Sequence, residues 1–366
     1  MPFHPEQNFN QGLDIRLRIL ERYPKMTILH HFDEEQRLWA TSGREIWVRA
    51  GQSWKYWAKF PFHSPRDLFG FSRPTTRASR ADKCNIYENQ IGSVLGIRAG
   101  MVYHLEEGRA PRALFSINGD CVLHGSLCED RQGNIYFGEY FMNSARQAVR
   151  IWRVAPRMEH WEIAYAFPAA GIRHVHGIYR DPFEEETFWV TVGDFSGECY
   201  ILCTRDLFKT FTRYGDGKQT WRAVRVFFTK QYICWITDSN LEQNYACRMH
   251  RSNGELEIGM QIANSGWYGT TTTEELHVAF TTVEKGEGIT SPYSQILISH
   301  DAFNWQVIYQ FKKDFYRPMQ VFKYGVISCP SGEMSQHDLY LSGEGLVGLD
   351  GRSMRIDITE LGERKR

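Results

Sequence analysis

Long hydrophobic runs, charge of one sign, paired cysteines and helical periodicity are all missing from this sequence. No apolar stretch approaches a length of about 18 residues, so nothing predicts a membrane span. Lys plus Arg and Asp plus Glu number 43 each, and the formal net charge is zero. No overall field attracts nucleic acid or an anionic membrane, and neither is expected as a partner. Neither an Asp-x-Asp metal–nucleotide motif nor a Gly-rich phosphate loop is present. The eight cysteines form no Cys-x-x-Cys pair and several sit inside apolar runs such as YICWIT, which predicts reduced, buried thiols. The opening residues, MPFHPEQNFNQG, lack the charged-then-apolar pattern of a secretory leader, so a cytoplasmic chain is expected.

What is present is strand after strand. Short β-branched and aromatic runs end in Gly, Asn, Asp or Pro, as in NIYFGEYF, TFWVTVGD, QYICWITD and ELHVAFTT. The runs recur as a strand, a turn and a second strand at 121–140, 173–194, 221–238, 267–282 and 317–331. That spacing, roughly 45–50 residues, is the span of a four-stranded propeller blade. Two further blades are read at 26–57 and 69–117, the second carrying the polar insertion SRPTTRASRADK. The expected fold is all-β: a seven-bladed β-propeller forming a single domain over residues 1–366, with six blades as the alternative. Residues 13–19, LDIRLRI, alternate apolar and charged with the period of a strand. This segment is expected to pair near 354–359 and close the ring, which removes free sheet edges.

Two turns carry a motif. Thr204-Arg205-Asp206-Leu207-Phe208-Lys209-Thr210-Phe211 and the shorter Ser299-His300-Asp301-Ala302-Phe303-Asn304-Trp305 resemble the Asp-box, or BNR repeat. In such a turn the Asp accepts backbone N–H groups and an aromatic packs between blades. Phe208 stands where the repeat has glycine. The chain is thus similar to the sialidase-like propeller superfamily. That resemblance implies a carbohydrate-active protein, as a glycoside hydrolase, a polysaccharide lyase or a carbohydrate binder.

In a propeller, first-strand starts and second-strand ends converge at one mouth of the channel, where pockets form. Arg173, Arg222 and Arg317 at first-strand starts are candidates to bind a substrate carboxylate through planar forks, as the three arginines of sialidases do. His124, Trp221 and Trp267 join them as substrate-binding candidates, the tryptophans to stack on sugar faces. Glu139, Asp194 and Asp238 at second-strand ends are the carboxylates a hydrolase requires. His174 and His176, two apart on one strand face, with Tyr140 and Tyr268 as acids, would suit proton abstraction next to a uronate carboxylate. No cofactor is required by these readings, although His124, His174 and His176 together form a candidate divalent-metal site. The expected partner is an anionic oligo- or polysaccharide. Hydrolysis leads, with uronate elimination, non-catalytic glycan or protein binding, and a polysaccharide-assembly glycosyltransferase as the alternatives.

Overall fold

The computed structural model describes residues 14–314, 319–322 and 324–361. Seven four-stranded antiparallel sheets stand in a ring, a seven-bladed β-propeller. Strands of blades one to six fall within 28–59, 85–116, 128–167, 175–217, 226–262 and 265–312. Blade seven runs over 326–361 and takes its outermost strand from Asp14–Tyr23.

The continuous apolar runs are the second strands, because those are covered on both faces. Val94–Arg98, Ile135–Gly138 and Phe188–Val192 are buried throughout. Outer strands such as Trp161–Phe167 expose much of their length and read as mixed sequence. Core clusters form between neighbouring blades. Trp39, Ile46 and Phe60 of the first meet Ile86, Val94 and Leu105 of the second. The cysteines belong to this packing: all eight are free and seven are buried. Among the described residues no helix is long and apolar enough to cross a membrane.

The closing strand pairs as its alternation requires. Asp14 lies opposite Leu361, Leu17 opposite Ile358 and Tyr23 opposite Ser353. Its far end stitches blade seven to blade one. Tyr23 stacks on Tyr340 at 6.3 Å and meets Trp54 edge-on at 5.6 Å. Arg49 of blade one donates to the Tyr340 hydroxyl at 2.6 Å and to Glu21 at 3.1 Å.

Two stretches differ from the sequence reading. The stretch between Lys59 and residue 85, which includes the start read for blade two at 69, precedes that blade, whose first strand is Asn85–Glu88. It holds a 3-10 turn, Arg66–Phe69, and a helix, Arg73–Ser79. Ser72 caps the helix, Pro74 sits in its first turn, and Arg80 ends it in the left-handed region at φ 58°. Seven residues are too few to display a helical period. In blade seven, the run read as a first strand includes a helical turn, Met319–Phe322. The true first strand is Val326–Ser328 and the second is Leu339–Glu344. Arg317 lies outside the described residues.

Both Asp-box-like turns join third to fourth strands. Asp206 accepts the Thr210 N–H at 3.0 Å and its hydroxyl at 2.6 Å. Asp301 accepts the N–H groups of Phe303 and Asn304 at 3.0 and 2.8 Å. Trp305 packs on Phe227 of blade five at 5.1 Å. Phe208, at the glycine position, is held at φ 69°. That backbone costs a side chain about 1–2 kcal/mol. Its ring is fully buried against Tyr136 and Phe188, at 4.8 and 5.3 Å, and burial of a phenylalanine outweighs such a cost. Phe208→Ala is expected to lower stability by about 3–5 kcal/mol and Phe208→Gly by about 1 kcal/mol less, the reverse of the usual Ala–Gly order. Urea midpoints of the two variants check this; an alanine variant more stable than the glycine one would contradict it.

Candidate functional site

Five consecutive blades place an acid at, or within two residues of, the end of the second strand: Glu139, Asp194, Asp238, Glu284 and Glu344. All except Glu344 are buried, and carboxylates in such positions need partners. Each has a different set. Glu139 accepts the backbone N–H groups of Asn118 and Arg150 at 3.0 and 3.1 Å, with the Trp152 indole at 3.4 Å. Asp238 takes the Trp267 indole N–H at 2.6 Å and Arg222 Nε at 3.1 Å. Glu284 accepts from the Ser265 hydroxyl at 2.7 Å. Glu344 pairs with Lys83.

Asp194 is the most heavily engaged. Its Oδ1 lies 3.0 Å from His176 Nε2 and 3.2 Å from Arg222. Its Oδ2 lies 2.6 Å from Arg173 and 3.3 Å from His174 Nε2. Burial pushes this carboxyl up, but the histidines and Arg222 outweigh burial and hold it well below the usual carboxylate range. The preceding Gly193 sits at φ 85°, and a Cβ there would run into the Glu198 carbonyl. Glu198 in turn accepts the N–H groups of Asp194 and Phe195, both at 3.0 Å. The loop therefore presents Asp194 in one orientation.

These groups border a cavity of about 610 Å³ at the channel mouth. Arg173, His174, Asp194, Arg222, Trp267 and Glu284 line one side. The insertion ahead of blade two lines another with Arg73, Arg80, Asp82 and Lys83. Arg73 and Lys83 are held by Asp82, Asp350 and Glu344. Arg80 lies 3.7 Å from Asp120, its one ion pair among the described residues, with 44% of its side chain exposed. Met142, Phe195 and Leu241 form an exposed apolar rim.

Burial sets the remaining ionisations. It pushes Asp238 up to about 7, against Arg222 and aided by Glu284. It raises Glu284 as well, with the Asp194 charge adding to it. Glu344 would rise likewise, but Lys83 and Arg73 bring it to about 2. The Tyr140 and Tyr268 hydroxyls are raised by burial and stay protonated. Burial lowers His124 to about 3, leaving a neutral ring.

The sequence candidates therefore divide. Asp194, His174, Arg173, Arg222, Trp267, Tyr140, Tyr268 and His124 all border the cavity. His176 lies just behind, 3.0 Å from His174. Asp238 also stands behind the wall, holding Trp267 and Arg222. Glu139 does not line the cavity, and its carboxylate ties blade three to the chain that precedes it. Trp221 is buried, stacked on Trp235 at 5.3 Å, and is packing between blades rather than a sugar platform. His124 does not join the other two histidines, because its ring faces His30 and Tyr268, at 6.0 and 5.6 Å. Among the described residues, the group that could hold a metal is instead His174, His176 and Asp194. The insertion between blades one and two supplies four further cavity residues. Glu284 and Glu344 were missed. Glu284 follows the run ELHVAFTT, which ends before it, and Glu344 was hidden by the shifted strands of blade seven.

No protein-family model matches the chain, and no curated protein matches its sequence. Solved structures match in fold. Sqt1 of Saccharomyces cerevisiae is 8% identical, with 95% of this chain and 98% of that one covered and a TM-score of 0.53. The RRP9 WD40 repeats are 10% identical, with 94% and 98% covered and a TM-score of 0.52. YCF48 bound to D1 peptide is 11% identical, with 96% and 99% covered and a TM-score of 0.52. At these identities the likeness is one of fold: the chain is a β-propeller.

The raised Asp238 carboxyl has a consequence for stability. Between its ordinary value of 3.8 and about 7, the folded chain keeps a proton that the unfolded chain has lost, so stability falls as pH rises through that window. Asp194 acts in the opposite sense: its stabilisation is present above 3.8 and is lost as pH drops below it. Urea midpoints of the natural chain are expected to fall between about pH 5 and about pH 7.5, and those of Asp238→Asn to fall less. Equal slopes would show that Asp238 does not titrate there.

Proposed function

We propose that the protein is a carbohydrate-active propeller that takes a carboxylate-bearing sugar into the channel mouth and cleaves the glycan by elimination next to that carboxylate. The observation that carries this reading is the meeting of Arg80, Arg173 and Arg222 with Glu284 and Tyr140 around one cavity. Guanidinium groups neutralise a uronate carboxylate and acidify the neighbouring C–H. Glu284, whose carboxyl burial makes more basic than an exposed carboxylate, is placed to take that proton. The electron pair forms the C4–C5 double bond, the C4–O bond breaks, and the Tyr140 hydroxyl protonates the departing oxygen. His174 and His176 are not used as the base, since their Nε2 atoms face each other and Asp194. Hydrolysis fits less well, because Glu139 is turned away from the cavity and Asp194 is tied to Arg173 and Arg222 with both histidines against it. The two Asp-box-like turns support kinship with the sialidase-like propellers, whose range includes lyases and binders.

A second reading is non-catalytic binding at the same mouth. The fold likeness to YCF48, a propeller described with a bound peptide, favours it. A panel of uronic-acid polymers separates the two. Elimination is expected to generate the ultraviolet absorbance of an unsaturated uronate, and Glu284→Gln to slow it about 100-fold or more while saccharide affinity stays within a few-fold. Saccharide or peptide binding without product would favour the binder, and absence of both product and saccharide binding would overturn the glycan reading.

A further inference from the structure

His174 precedes the first strand of blade four, Val175–Arg180, and His176 sits inside it. The pairing register slips between Val175 and Gly177, so His176 is the extra residue of a β-bulge. Bulges re-aim side chains and are enriched beside functional sites. Here the bulge brings the two imidazoles together, with Nε2 atoms 3.0 Å apart.

Their other nitrogens are already assigned. His174 Nδ1 lies 2.9 Å from the Phe141 carbonyl, and His176 Nδ1 lies 2.9 Å from the Ala223 carbonyl. A carbonyl only accepts, so both Nδ1 atoms carry a proton. Three close contacts then remain among acceptor atoms: Nε2 to Nε2 at 3.0 Å, His176 Nε2 to Asp194 at 3.0 Å, and His174 Nε2 to Asp194 at 3.3 Å. One shared proton on either imidazole leaves the other imidazole's lone pair against the carboxylate. Protons on both place two N–H groups head to head. A cation in the middle satisfies all three contacts at once.

We infer that His174, His176 and Asp194 form a binding site for a divalent first-row transition-metal ion. The spacing fits, since donors about 2.1 Å from one ion and at right angles lie about 3.0 Å from each other. Two imidazoles with a carboxylate select zinc-like ions over calcium or magnesium. The Phe141 and Ala223 carbonyls are the outer partners that ligating histidines commonly have. Arg173 and Arg222 each bond one Asp194 oxygen and fix the carboxylate plane. His174 and Asp194 border the cavity, which leaves coordination positions open to a ligand there.

Chelator-treated protein titrated with Co²⁺, and then with Zn²⁺, tests the site without any saccharide, so the result is independent of the elimination reading. One Co²⁺ per chain is expected, with visible d–d absorption that Zn²⁺ displaces. His176→Gln and Asp194→Asn should each weaken binding about 100-fold, and His124→Ala should leave it unchanged. Circular dichroism checks that each variant is folded. If the Asp194 variant fails to fold, the His176 variant and the natural chain's spectrum decide. Absence of stoichiometric Co²⁺ binding by the natural chain, or full binding by folded His176→Gln, would overturn the inference.

Discussion

Acids at the second-strand ends of five successive blades lose solvation as the blades pack, and much of the mouth is arranged around that fact. The answers differ from blade to blade. Glu139 is met by backbone donors, Asp238 by an indole and a guanidinium, Glu344 by Lys83 and Arg73, and Asp194 by two arginines beside two histidines. Glu284 accepts from the Ser265 hydroxyl and faces the cavity. One repeated position is therefore satisfied in five different ways. The cations gathered to balance the ring also line the mouth.

The propeller was legible because its signals are local and repeated. Runs covered on both faces, as in Phe188–Val192, stand out in sequence, and the alternation of residues 13–19 named its own role. The Asp-box turns were legible for a similar reason, since one Asp organises a few neighbouring N–H groups. The site was only partly legible. That Asp194 lies in the same place as Glu139 followed from strand counting, yet the direction of each carboxylate depends on what surrounds it. Glu139 finds Asn118 and Trp152, and Asp194 finds its histidines only because a bulge turns His176. Such turns and bulges leave little trace in composition. The same holds for the insertion, which read only as a polar stretch of blade two, whereas a capped helix brings its charges to the cavity.

That insertion also links distant parts of the ring. Arg77, fully buried, donates to Asp314 after blade six at 2.7 Å, and Arg73 bonds Asp350 in blade seven at 2.9 Å. A segment lying between blades one and two therefore spans the seam that the strand Asp14–Tyr23 closes from the outer side. The ring has a clasp at each radius. Peeling the outer strand leaves the inner clasp shut, and losing the inner one leaves the strand paired. Opening the circle needs both events together, so its barrier is that of a coincidence rather than of either contact alone, and the persistence of the folded ring is a matter of rate as much as of equilibrium.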